Sequence, residues 1–231
     1  MMYEALASYY DALVKDDEAT HKWVEFVKKH CPGKKVLELA SGSGEITHAL
    51  KEEGYEIYAS DISTSMLKAL SDKYPDIPTQ CLDMRDFDFH EEYEGILCFC
   101  DSLNYLTEKD EVDSLFASVR KSLKQGGMWL FDMHTPDRLE EFEEEFLEEG
   151  YIGDMPYIWS ISSEDNFIYQ HFIFYLPDHM EQEQHIQCVF DPKDIEDMLE
   201  ANGFSFEVYT DFDMKGKKPG EKYFYVARKE R

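Results

Sequence analysis

The sequence predicts an α/β fold: a mostly parallel sheet covered on both faces, broken late in the chain by an antiparallel insert. Three observations carry this. Apolar strand-like runs alternate with amphipathic helix-like runs between residues 35 and 132. A small-residue loop, Ala40-Ser41-Gly42-Ser43-Gly44, joins the first such strand to the first such helix. After residue 150 the alternation gives way to successive strands separated by short turns. Strand and helix in alternation imply parallel pairing, because each return crossing needs a helix. Strands in direct succession imply hairpins.

Each element follows from local chemistry. Residues 1–31 read as helical, with Trp23, Phe26 and Val27 at helical spacing and Pro32-Gly33 as the stop. Lys35–Leu39 is a strand, and 45–53 a helix ending at Gly54. Residues 56–59 form the next strand, and 65–74 a helix closed by Pro75. A short strand at 78–82 follows. The run 95–100 is apolar throughout, as a central parallel strand buried on both faces should be. The expected helix 109–123 ends before Gly126-Gly127, and 128–132 is the fifth strand. Residues 139–149 read as an acidic amphipathic helix, with apolar positions 139, 142, 146 and 147 on one face. Three strands are expected at 157–162, 167–176 and 183–190, with turns at 164–166 and 177–178. Asp191-Pro192 opens a helix that Gly203 stops. Strands at 204–209 and 222–227 close the chain as a hairpin.

Composition narrows the function. The 231 residues carry a formal net charge of −27 and 43% hydrophobic residues. That is enough apolar material for a large core, and a charge that repels phosphate backbones and anionic membranes. Nucleic acid is therefore disfavoured as a partner, and a neutral or cationic small molecule is favoured. The five cysteines are scattered, without zinc-type spacing, so no metal site is expected and reduced thiols in a cytoplasmic protein are. No secretory signal pattern or membrane-length apolar run is seen.

Four candidate positions lie at strand C-termini, where open α/β sheets bind ligands. The first is the glycine loop, where backbone and helix N–H groups stand open to a ligand. The second is Asp61, an acid placed to accept both hydroxyls of a ribose, with Ile62 beside it. The third is Asp83-Met84, an acid for an adenine amino group next to an apolar side chain for its ring. The fourth is Cys100-Asp101-Ser102-Leu103-Asn104-Tyr105, whose polar groups face the cleft.

These residues resemble the class I S-adenosylmethionine-dependent methyltransferases over about residues 1–135 and 190–229. Glu38-x-Ala40-x-Gly42-x-Gly44 is similar to that family's glycine loop, with Ala40 where glycine is commonest. Asp61 matches its ribose acid, and Asp61-x-Ser63-x-x-Met66-Leu67 its following helix start. Asp83 matches its adenine contact. Tyr9-Tyr10-Asp11 resembles the element that closes over the cofactor, with Tyr10 as the lid. The resemblance implies a three-layer sandwich with a seven-stranded Rossmann-like sheet, the last hairpin antiparallel. It also implies S-adenosyl-L-methionine as cofactor, with Glu38 suited to its ammonium group. The binding domain would then be 1–138 with 187–231, and 139–186 an inserted substrate cap.

A dinucleotide oxidoreductase is the rival, but Thr47 stands where its fingerprint requires a third glycine. A tRNA-modifying enzyme and a noncatalytic ligand-binding module are further alternatives. Methyl transfer needs nucleophile, carbon and sulfur held in line, and a base only when the acceptor arrives protonated. His134, just past the fifth strand, is the candidate base. Tyr105, Trp159, Tyr169 and His171 are candidate contacts for a small-molecule acceptor, whose nucleophile is a nitrogen or an oxygen. Monomer and homodimer are both open.

Overall fold

The computed structural model describes Tyr9, Leu13 and residues 16–230. The first described helix, α1 (Asp17–His30), begins where the Asp16 side chain accepts the backbone N–H groups of Glu18 and Ala19. Acids in its first turn and bases in its last oppose the helix dipole favourably. The alternation then runs β1 (Lys35–Leu39), α2 (Glu45–Glu52), β2 (Glu56–Asp61), α3 (Thr64–Lys73), β3 (Thr79–Cys81), β4 (Tyr93–Cys98), α4 (Lys109–Ser122) and β5 (Leu123–His134). A short helix α5 (Asp137–Glu141) leads to four strands, β6 (Phe146–Ile152), β7 (Met155–Glu164), β8 (Phe167–Tyr175) and β9 (Met180–Cys188). Helix α6 (Pro192–Ala201) and strands β10 (Phe204–Thr210), β11 (Met214–Lys215) and β12 (Lys222–Lys229) complete the described chain.

The main sheet has the order β11-β10-β12-β5-β4-β1-β2-β3. Strands β3, β2, β1, β4 and β5 are mutually parallel, and β12 pairs antiparallel with both β5 and β10. The seven long strands are those expected; the two-residue β11 adds an edge. Alternate strand residues feed two cores. Leu37, Ile96, Trp129 and Phe131 pack with α4 and α6, whereas Val36, Leu97, Leu130 and Phe224 pack with α1 and α2. That division makes three layers. No helix among the described residues is long and apolar enough to cross a membrane.

Three expectations are corrected. The helix read over 139–149 stops at Glu141, and residues from Phe146 form β6, paired with β7 from Phe146↔Ile161 to Ile152↔Met155. The insert therefore has four strands. Seven paired residues and a two-residue turn at Gly153-Asp154, with Gly153 at φ 61°, outweigh a helical period crowded by like charges. Second, Gly126-Gly127 lies inside β5: Leu123 already pairs with Tyr93, and the register shifts before Gly95 pairs with Met128. The glycines build a bulge, with Gly126 at φ 75°. Third, β4 ends at Cys98, because Cys100 and Asp101 take positive φ of 57° and 58° and turn the chain aside.

Candidate functional site

The C-terminal ends of β1 and β2 and the turn after β4 open into a cavity of about 370 Å³, roofed by side chains from β7, β8 and β9. Its floor begins at β1. Glu38 is 3% exposed, and the Thr47 hydroxyl donates to its Oε2 at 2.5 Å. Burial pushes the Glu38 carboxyl up to about 7, although the Thr47 hydrogen bond pulls the other way. Thr47, which excludes the dinucleotide fingerprint, thus has a positive role as the anchor of Glu38.

The loop after β1 takes positive φ at Ala40 (51°), Gly42 (53°) and Gly44 (88°). A Cβ on Gly44 would meet the Leu70 side chain at 2.6 Å, whereas one on Gly42 would meet nothing within 4 Å. Gly44 is therefore glycine for helix packing, and Gly42 leaves open space on the cavity side. Asp61 clamps this loop. Its Oδ2 accepts the Gly42 N–H at 2.9 Å and its Oδ1 the Ser63 N–H at 2.8 Å. Burial raises the Asp61 carboxyl and these backbone donors oppose the rise. A carboxylate has further lone pairs, so the clamp leaves acceptor capacity for a hydroxyl.

At the β4 end, one buried side chain holds the turn. Asp132, from β5, accepts the N–H groups of Cys100 (3.1 Å) and Asp101 (2.7 Å) and the Trp23 indole N–H (2.9 Å). The Lys222 ammonium, from β12, donates to Asp101 Oδ2 at 2.7 Å and lies 4.0 Å from Asp132 Oδ2. Burial alone would lower the Lys222 pKa, but the two carboxylates outweigh it and raise it. Trp23, Asp101 and Lys222 all line the cavity.

The structure brings most of the expected residues together. Glu38, Ala40, Gly42 and Gly44 line the cavity, as do Asp61, Ile62, Met66 and Met84. Cys100, Asp101, Tyr105 and Trp159 complete that set. Five others do not line it. Asp83 points to Arg85, whose guanidinium donates to both its oxygens, so only its neighbour Met84 reaches the cavity. Asn104 is fully buried, donating to the Cys188 carbonyl and accepting the His134 N–H, and so ties the turn to β9 and β5. His134 is 4% exposed, its Nε2 3.2 Å from Gln187 Oε1 and its Nδ1 3.4 Å from Asp101 Oδ1. Burial lowers its pKa, and the ring does not line the cavity. Tyr169 and His171 alternate onto the outer face of β8, since Gln170 and Phe172 take the inner one. Tyr10 lies outside the described residues.

Sequence reasoning missed Trp23, Gln170, His185, Gln187 and Lys222, all lining the cavity. The alternation of β8 and β9 held a partial signal, since even positions of β8 and odd positions of β9 are the less exposed ones. Register decides which strands face the cavity, and only the paired structure supplies it.

A family model described as "Methyltransferase domain" matches residues 36–127. The chain is 32% identical to "Putative methyltransferase YqeM" of Bacillus subtilis (strain 168), over 99% of this chain and 98% of the relative. Among solved structures it resembles an S-adenosylmethionine-dependent methyltransferase of Clostridium acetobutylicum, with TM-score 0.85, 23% identity and 99% of each chain covered. It also resembles the sugar N-methyltransferase KedS8 of a Streptoalloteichus species, with TM-score 0.81, 20% identity, and 100% of this chain and 95% of that one covered. Glycine loop, sheet order and full-length similarity agree: the chain belongs to the class I S-adenosylmethionine-dependent methyltransferases.

Proposed function

We propose that the acceptor is a small molecule and that the methylated atom is an amine nitrogen. The observation that carries this is the composition of the cavity's two walls. One wall is the glycine loop with Asp61 and Glu38; the other is the inner face of the inserted sheet, with Trp159, Phe172, Gln170 and His185. A cavity of about 370 Å³ suits a small ligand. The aromatic faces of Trp159 and Phe172 on the insert wall attract an ammonium group. The net charge of −27 favours a cationic guest and opposes RNA. Among the structural neighbours, KedS8 is a sugar N-methyltransferase, a precedent for an amine acceptor on this fold.

S-adenosylmethionine supplies an electrophilic methyl group on a sulfonium. The chain's own residues hold and orient. The Asp61 carboxylate would take the ribose hydroxyls, and the buried Glu38 carboxylate would take the ammonium of the methionine moiety. Met66 and Met84 give apolar surface for the purine. The inserted sheet excludes water and sets the angle at which the acceptor nitrogen approaches. Calorimetric titration with S-adenosylhomocysteine should give micromolar affinity, and nicotinamide dinucleotides should give no heat. A panel of amines, amino sugars included, and matched alcohols is then incubated with the methyl donor. A mass gain of one methylene unit is expected on amines. Methylation confined to alcohols, or to RNA, would contradict the proposal.

A further inference from the structure

Above the expected acceptor position, three residues stand in a row. Tyr105 lines the cavity, and its hydroxyl oxygen is 3.0 Å from His185 Nδ1. His185 also lines the cavity and is 1% exposed. On the far side of the ring, Glu183 Oε1 is 3.3 Å from His185 Nε2, and Glu183 is 8% exposed. Residues 183 and 185 share one face of β9, so the strand sets the carboxylate–imidazole spacing; Tyr105 comes from the Ser102–Tyr105 turn after β4. The row therefore bridges the parallel sheet and the insert.

We propose that Tyr105, His185 and Glu183 form a proton relay that strips a proton from the acceptor's ammonium group. This rests on the amine reading above. The relay requires the His185 proton on Nε2, 3.3 Å from Glu183 Oε1, with Nδ1 accepting the Tyr105 hydroxyl. The phenol oxygen then keeps lone pairs for an N–H in the cavity. In the transfer, one N–H bond of the ammonium breaks and its electron pair stays on nitrogen. That proton bonds to the Tyr105 oxygen while the phenol's own proton moves to His185 Nδ1. His185 becomes an imidazolium facing the Glu183 carboxylate, and the nitrogen is left as a free nucleophile. No oxidant, reductant or metal is needed. Among the described residues, the groups that face His185 include Tyr105 from the turn, Glu183 on its own strand, and the neutral Gln170 and Phe172 from β8. Tyr105 is the catalytic residue of the three, and His185 and Glu183 act through it.

The test has two arms. In the first, the His185 ring nitrogens are observed by NMR in the full chain saturated with S-adenosylhomocysteine, at mildly alkaline pH. The relay requires the proton on Nε2; a proton on Nδ1 overturns it, because Nδ1 could not then accept from Tyr105. In the second, Tyr105→Phe, Glu183→Gln and His185→Asn are compared with the parent on the fastest amine of the panel. Tyr105→Phe should lower kcat/KM about tenfold or more near neutral pH, and the deficit should shrink as alkaline pH frees the amine without help. Glu183→Gln should do the same more weakly. S-adenosylhomocysteine affinity should stay unchanged in Tyr105→Phe, which keeps the ring, and melting should fall only by the loss of one hydrogen bond to buried His185. A deficit that is constant with pH, or none, overturns the relay. Failure of every amine would instead strike the amine reading, and the NMR arm would still decide the arrangement of the three groups.

Discussion

The two walls of the cavity are built by different means. On the sheet side, the site is made of backbone and short side chains: the positive-φ loop 40–44, the Asp61 clamp on the Gly42 N–H, and the Asp132 clamp on the turn after β4. On the insert side it is made of long side chains, Trp159, Gln170, Phe172 and His185, delivered by antiparallel register. A wall of backbone tolerates little change and suits a ligand that never varies. A wall of side chains on a surface strand changes identity one residue at a time without disturbing the sheet beneath. Under the proposed function, the invariant methyl donor lies on the first wall and the acceptor on the second.

Substitutions on each side test that division. The largest effect is expected from Asp61→Ala. It removes a buried acceptor of two backbone N–H groups and the ribose ligand together, and should weaken S-adenosylhomocysteine by about a hundredfold, about 3 kcal/mol, in a titration. Gly44→Ala should lower stability by about 2 kcal/mol in a denaturant melt, because φ is 88° and the new Cβ meets Leu70. Gly42→Ala, at φ 53° with open space around it, should cost less stability and fall mainly on cofactor affinity. Trp159→Ala should lower amine turnover about tenfold and leave cofactor affinity within about threefold, a split that assigns Trp159 to the acceptor wall.

The pH dependence comes next. Folded Glu38 titrates at about 7 against an ordinary 4.5. A raised acid favours the folded state at pH below the ordinary value, and that advantage is lost as pH climbs through about 7. Binding of an ammonium needs the ionised form, so its sign is opposite. S-adenosylhomocysteine affinity should rise by up to about tenfold per pH unit toward pH 7 and level off above it. Glu38→Gln should flatten that profile. The smallest effect is expected at Tyr169 and His171, whose alanine variants should leave turnover within about twofold, since both side chains sit on the outer face of β8.

Most of the glycine-loop wall of the cavity was legible in the sequence, whereas of the insert wall little beyond Trp159 was. Gly42, Gly44 and Asp61 fall at the ends of contiguous apolar runs, where strand, loop and helix follow one another closely. Their roles are local, so local pattern reveals them. The sequence does not disclose that Arg85 captures the Asp83 carboxylate, a pairing two residues away. Nor does it disclose that β5 runs on to residue 134 and buries His134 against Asp101 and Gln187. On β8 the sequence shows aromatic and polar residues at both parities, so Tyr169 and Phe172 look alike until pairing with β7 and β9 turns one outward and the other inward. Lys222 and Trp23 reach the cavity from opposite ends of the chain, and no spacing rule joins them.

The most direct test is a crystal structure of the full chain with S-adenosylhomocysteine. Ribose hydroxyls are expected on the Asp61 carboxylate, the ammonium group at Glu38, and the thioether sulfur facing the inner side of the inserted sheet near Tyr105 and Trp159. A nucleoside bound away from Asp61, or a sulfur directed away from that sheet, would contradict the assignment of the two walls.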